Sequence, residues 1–190
     1  MPYTSPRAFD AALTARFKTL APGRPYSISQ LRRQFAYDRA LARCFSGPSS
    51  DQWVLKGGIS LLALLRSARH SSDLDISTTA SSSSDAFHAL RATLSQNLGD
   101  HFSFELEQPS LLIQGVDGIR ASVTAFLGRR PYERFHIDLV TGVFSTGIPE
   151  HANPLIPLDI PGLHQPQYRI YPLCDTLADK ISAIGELSWT

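Results

Sequence analysis

Asp73-Leu74-Asp75 follows the pair Gly57-Gly58 by fifteen residues, and the two segments together supply carboxylate oxygens and a flexible backbone. In a β-strand alternate side chains share a face, so Asp73 and Asp75 project together while Leu74 and Ile76 pack behind them. Asp is a poor strand former, and two at i and i+2 ask for a reason. Hard divalent cations such as Mg2+ prefer oxygen ligands and usually keep nucleotide phosphates as further ligands. The glycines let backbone N–H groups approach a triphosphate at the start of the next helix. Each half alone has an ordinary explanation: a tight turn for Gly-Gly, a solvated strand edge or turn for Asp-x-Asp. In this order, with an apolar helix from Ile59 to Leu65 between them, they point to nucleotide chemistry.

Two later segments carry further candidates. In Arg134-Phe135-His136-Ile137-Asp138-Leu139-Val140, Phe135, Ile137 and Leu139 face a core while His136, Asp138 and Val140 share the other face. Asp138 by itself reads rather as an edge-strand residue facing water than as a metal ligand. Further on, Leu173, Leu177, Ile181 and Ile184 form a helical stripe after Pro172, and Lys180 edges it. A snorkelling surface lysine is one reading and a cation for a triphosphate the other. The chain has only three lysines (18, 56 and 180) against fifteen arginines, and two of the three sit in these segments.

The elements that must position these groups are legible from caps and periodicity. Ser5 or Thr4 caps a helix with Pro6 at its first position, and Phe9, Leu13, Phe17 and Leu20 repeat inward. A second helix starts near Ser27 or Ser29 and runs to Phe45, stopping at Gly47-Pro48. Its outer faces display Arg32, Arg33, Arg39 and Arg43. A polar loop from Thr78 to Ser84 precedes a helix from Asp85 to Leu98, with Gly99 as its terminator. The period then changes to two, giving strands over 101–107, 119–127 and 135–140 with turns at Asp117-Gly118 and Gly128. Residues 145–167 are rich in Pro and Gly and form a long connection. The expected division is a basic helical layer over 1–50, a core over 51–145, and a connection with a C-terminal helix over 146–190, all in one compact α/β (α+β) unit.

Composition bounds the rest. At 190 residues and 43% hydrophobic the chain can bury one sizeable core. Its longest apolar run, Leu61 to Leu65, is far too short for a membrane span, and the first residues form no secretory signal, so a cytoplasmic location is expected. Cys44 and Cys174 make no disulfide framework and read as small core residues. The six histidines show no zinc spacing. Residues 1–69 hold eleven Lys or Arg against three Asp, whereas residues 70–190 hold seven against fourteen acidic groups. That split suits a first part meeting a polyanion and a second part binding cations, or two solvated faces that neutralise each other.

Leu55-Lys56-Gly57-Gly58, then Leu61 and Leu64, then Arg69-His70-Ser71-Ser72-Asp73-Leu74-Asp75, resembles the signature of the AbiEii/MenT-type nucleotidyltransferase toxins. Ile59 stands where that family commonly has threonine, so the hydroxyl is displaced or supplied by Ser60. The resemblance implies a DNA polymerase β-like nucleotidyltransferase core with a mixed sheet. It implies that Asp73, Asp75 and Asp138 hold Mg2+ (or Mn2+) and that Lys56, Gly57, Gly58, Ser60, Arg69 and Ser71 contact the nucleotide. Lys180 would then be the family's important lysine, neutralising the departing pyrophosphate with Arg69. The implied substrates are an NTP and the 3′ end of tRNA, and the implied partner is a cognate antitoxin, with direct contact left open. Arg32, Arg39 and Arg43, at i, i+7 and i+11, with Arg33, Arg16 and Lys18, are the expected RNA-facing side. Relatives continue past the lysine helix into a segment holding a further active-site Asp, so the chain is expected to be either a short form or one lacking that piece.

Other readings share these residues. Transfer to a protein or small-molecule hydroxyl keeps the chemistry and changes the acceptor. A non-catalytic nucleotide- or RNA-binding module accounts for Ile59. A DxD glycosyltransferase accounts for the carboxylates but leaves the upstream glycines unexplained.

Overall fold

The computed structural model describes residues 3–65, 71–112, 117–142 and 146–187. The chain opens with two helices, α1 (Pro6–Leu20) and α2 (Ile28–Cys44). Both begin where their caps predict. The Ser5 hydroxyl accepts from the Ala8 N–H ahead of Pro6, and Ser27 forms a reciprocal capping box with Gln30. Strand β1 (Trp53–Lys56) leads directly into α3 (Gly57–Leu64), and β2 (Asp73–Thr78) follows. Helix α4 (Ser83–Leu94) ends four residues earlier than Gly99 suggested, at a Ser95 cap. Strands β3 (Phe102–Leu106), β4 (Ser110–Leu111), β5 (Gly118–Leu127) and β6 (Arg130–Thr141) then build one side of the sheet. Two short strands follow, β7 (Glu150–Ala152) inside the region expected to be plain connection and β8 (Tyr168–Ile170) just after it, and α5 (Leu173–Leu187) closes the order.

All eight strands join one mixed sheet, ordered β3-β5-β6-β2-β1-β8-β7 with β4 beside β5. The pairs β2–β6 and β1–β8 are parallel and the others antiparallel. One hydrophobic cluster runs from Phe9, Leu13 and Phe17 of α1 through Leu31 and Phe35 of α2 and Leu90 of α4 to Val123, Phe135 and Ile137 of the sheet. The rings of Tyr37 and Phe135 meet edge to face at 4.9 Å. The alternation of β5 and β6 places Ala121, Val123, Phe135, Ile137 and Leu139 in this core. Their alternates Arg120, Ser122, His136 and Asp138 remain accessible on the other face.

A buried clasp ties the late connection to α2. The Asp38 carboxylate accepts the Leu155 N–H at 2.8 Å, the Ile156 N–H at 2.7 Å and the Tyr168 hydroxyl. Burial pushes its carboxyl up to about 6, against the opposing effect of these donors and of Arg39.

Three expectations fail here. Arg39 and Arg43 do not face RNA: both are fully buried. The Arg43 guanidinium donates to both Asp100 oxygens, at 2.9 and 3.1 Å, and to the carbonyls of Gln96 and Phe102. Arg39 lies 3.5 Å from Asp100 and donates to the His164 carbonyl. Helical spacing placed them on one face correctly, but that face is enclosed by chain segments distant in sequence. Arg32 and Arg33 are partly exposed but pair with Asp10 at 3.0 Å and Glu133 at 2.9 Å. Cys174 is exposed, unlike buried Cys44. The stripe on α5 also meets no core, with Leu177 and Ile181 at 51% and 70% exposure.

Candidate active site

Register assembles the carboxylates. Strand β2 lies between β1 and β6, and its parallel pairing with β6 sets Asp75 directly beside Asp138 and Asp73 beside His136. On its other side Asp75 pairs with Lys56. Neighbouring strands are ~4.8 Å apart, so Lys56, Asp75 and Asp138 form one row across the sheet.

The glycines close on this row. Gly57 has φ +67°, and a Cβ there would lie 1.9 Å from Asp75 Oδ2, so both conformation and space require glycine. The Gly58 N–H donates to the Asp75 carboxylate. One of the expected phosphate donors is therefore directed at the carboxylate. Burial, followed by the charges of Asp138 and Asp73, pushes the Asp75 carboxyl up to about 6.

Arg120, which sequence reasoning passed over, holds the row together. Its Nε and Nη2 donate to the two oxygens of Asp138 at 2.7 Å each, and Nη2 lies 3.7 Å from Asp73. Its only sequence signal was a place on the polar parity of β5. Among the described residues no three His, Cys, Asp or Glu side chains converge closely enough to enclose a metal ion. The donor chemistry nonetheless fits a cation. A guanidinium already stands between Asp138 and Asp73, and burial, with the neighbouring negative charges adding to it, raises the Asp75 carboxyl.

A cavity of about 440 Å3 opens beside the row, lined by Lys56, Gly57, Gly58, Ser71, Asp75, Tyr171, Asp179 and Lys180 among others. Helix α5 reaches it because Tyr171 N–H donates to the Leu55 carbonyl at 2.9 Å, anchoring the helix start to β1. Lys56 Nζ sits 4.0 Å over the Tyr171 ring and 3.1 Å from Asp179. Tyr171 and Asp179 were not singled out beforehand, though Asp179 adjoins Lys180. Lys180 is exposed on the cavity wall. Ser71 lines the cavity near Gly58. Ser60 does not: it is buried, and its hydroxyl donates to the Gly57 carbonyl at 2.8 Å, so it turns into α3 and away from the cavity. Arg69 lies outside the described residues.

Residues 39–187 match the family described as nucleotidyl transferase AbiEii toxin, type IV TA system. The chain belongs to the AbiEii nucleotidyl transferase toxin family. The family region begins within α2 and includes β1, β2, β6 and α5, and so every residue of the carboxylate row and the cavity. A crystal structure of a candidate nucleotidyltransferase from H. pylori is similar to this AbiEii-family chain at a TM-score of 0.46 and 15% identity, over 82% of the present chain. The present chain spans 59% of that protein's length. No curated protein matches the sequence. Among the described residues, no helix is long and apolar enough to cross a membrane.

Proposed function

We propose that this AbiEii-family protein is a metal-dependent nucleotidyltransferase toxin that moves an NMP unit from an NTP to the 3′ end of tRNA and so blocks translation. The observation that carries the reading is the register of Asp75 with Asp138 beside the glycine turn and the cavity. In the reaction the 3′-hydroxyl oxygen bonds to the α-phosphorus, the bond to pyrophosphate breaks, and the hydroxyl proton passes to solvent.

Asp73, Asp75 and Asp138 would hold Mg2+ or Mn2+. A bound divalent cation supplies a lowered pKa at an attacking hydroxyl and charge stabilisation at attacking and leaving oxygens. Asp138 is held by Arg120 through both of its oxygens, and Arg120 would have to release it for the ion to bind. Lys180, exposed on the cavity wall, and Lys56, once released from Asp179, carry the positive charge that a departing pyrophosphate needs. Tyr171 and Leu61 line the same cavity and exclude water from one flank of a nucleotide. The type IV description of the family supports a cognate antitoxin as partner. A cytoplasmic setting follows from the tRNA substrate.

Incubating the purified chain with Mg2+, each labelled NTP in turn and total tRNA tests this reading. Label on the RNA 3′ end, abolished by EDTA, is expected. Label on protein would replace the acceptor, and no label with any NTP would overturn the activity.

A further inference from the structure

A second charged cleft lies at the opposite end of the β5–β6 hairpin from Arg120 and Asp138. It has a volume of about 340 Å3 and is lined by Arg7, Arg129 and Arg130 together with Arg32 and Tyr132. Arg7, Arg129 and Arg130 are exposed, and none has a carboxylate partner among the described residues. The nearby acids are already engaged, Asp10 with Arg32 at 3.0 Å and Glu133 with Arg33 at 2.9 Å. The cleft is also rigidly framed. Gly128, at φ +62°, brings the hairpin turn so close to α1 that a Cβ there would lie 2.7 Å from Pro6. Arg32 covers the Tyr132 ring at 4.3 Å. Three unneutralised guanidinium groups around one cleft repel each other and concentrate positive potential there.

We propose that this cleft is an anchoring site for the backbone phosphates of the RNA acceptor, a deepening that rests on the nucleotidyl-transfer reading above. Guanidinium forks match phosphate oxygens, and a polymer supplies several at regular spacing. The hairpin sets the distance. From Asp138 to Arg130 the same strand runs eight residues, which at ~3.3 Å per residue is roughly 26 Å. With one phosphate per ~3.4 Å of helix axis on each strand of a duplex, that span corresponds to roughly seven or eight base pairs of stem. An RNA with its 3′ end at the carboxylates therefore reaches the turn, whereas a small acceptor does not. This reassigns the RNA contact from the buried arginines of α2 to the hairpin turn and the start of α1.

The test is fluorescence anisotropy with a labelled RNA hairpin, carrying a stem of ten base pairs and a single-stranded 3′ end, titrated at several salt concentrations. Arg129→Gln with Arg130→Gln is expected to weaken binding about tenfold and to flatten the salt slope by roughly 1.4 to 1.8 units. Arg24→Gln with Arg91→Gln removes the same charge elsewhere and should retain affinity and slope. A stem of three pairs, too short for the span, should bind wild type and the Arg129/Arg130 variant alike. Unchanged binding in that variant, an equal loss in the Arg24/Arg91 variant, or competition by polyglutamate as strong as by RNA would each overturn the assignment. Polyglutamate competition would point to an acidic protein instead. Label transfer reads the underlying activity separately: transfer to RNA with unaltered binding in the Arg129/Arg130 variant removes only the cleft. RNA binding at the cleft without transfer removes only the activity.

Discussion

Two clusters of arginine and aspartate sit in this fold, and burial gives them opposite roles. Arg39, Arg43 and Asp100 are sealed between α2 and the approach to β3, with Arg43 making five hydrogen bonds to Asp100 and to backbone carbonyls. Arg120, Asp73, Asp75 and Asp138 stand on the open sheet face, where acid outnumbers base and solvent and ligands have access. In the sealed cluster two guanidinium groups share the Asp100 carboxylate out of reach of solvent and ligands. The open cluster leaves negative charge unmatched, and that deficit is what a cation can relieve. The same residue types thus build a clasp in one place and an open, acidic surface in another.

The contrast is broken most severely in the sealed cluster. Asp100→Ala leaves two buried guanidinium groups without their carboxylate and should cost about 3–5 kcal/mol. Urea denaturation would measure this, and a loss below about 1 kcal/mol would mean that the cluster is not sealed. In the open cluster, Asp75→Asn should lower nucleotide transfer by about 10^2 to 10^3-fold with the fold intact.

The same variant should gain stability without metal, and the sign follows from the raised carboxyl. Its folded value of about 6 exceeds the ordinary carboxylate range, so the folded state binds the extra proton. Stability is therefore lost as pH rises between about 4 and 6. Asp75→Asn should stabilise metal-free protein at pH 7 by up to about 3 kcal/mol, read as a higher melting temperature, and change little near pH 4. An unaltered pH profile would place the charge strain elsewhere.

Arg120→Gln should tighten Mn2+ binding about tenfold, because the cation then no longer competes with a guanidinium for Asp138. Arg120→Lys, which keeps the charge but loses the two-pronged contact, should fall between. Calorimetric titration with the metal alone reads both. The smallest effect is expected at the surface: Arg33→Gln breaks a half-exposed pair and should change stability by less than about 1 kcal/mol.

Local chemistry made much of this molecule legible. Ser5-Pro6 and Ser27 with Gln30 mark helix starts because caps satisfy their own neighbours. The two-residue period places Asp73, Asp75 and Asp138 on faces that the sheet then aligns. What sequence could not supply was the environment of each face. The spacing of Arg39 and Arg43 defines a stripe, but Asp100 and His164, which enclose it, lie far along the chain. The stripe of Leu173, Leu177 and Ile181 has helical periodicity and yet meets solvent, since period says which residues share a side and not what lies against it. Arg120 resembled any polar residue on a half-exposed strand until register set it opposite Asp138.

The anchoring of α5 through Tyr171 to Leu55 has a temporal consequence. Lys56 and the glycine turn are synthesised early, the Asp73 and Asp75 strand next, Asp138 much later, and Lys180 last of these. At ~5–20 residues per second the interval from Gly58 to Lys180 is roughly 6 to 24 seconds of synthesis. Strand β1 cannot gain its parallel neighbour β8, nor the cavity its far wall, until that interval has passed. A chain still emerging from a ribosome therefore holds the glycine turn without the wall that faces it, and the cavity is completed in one late step.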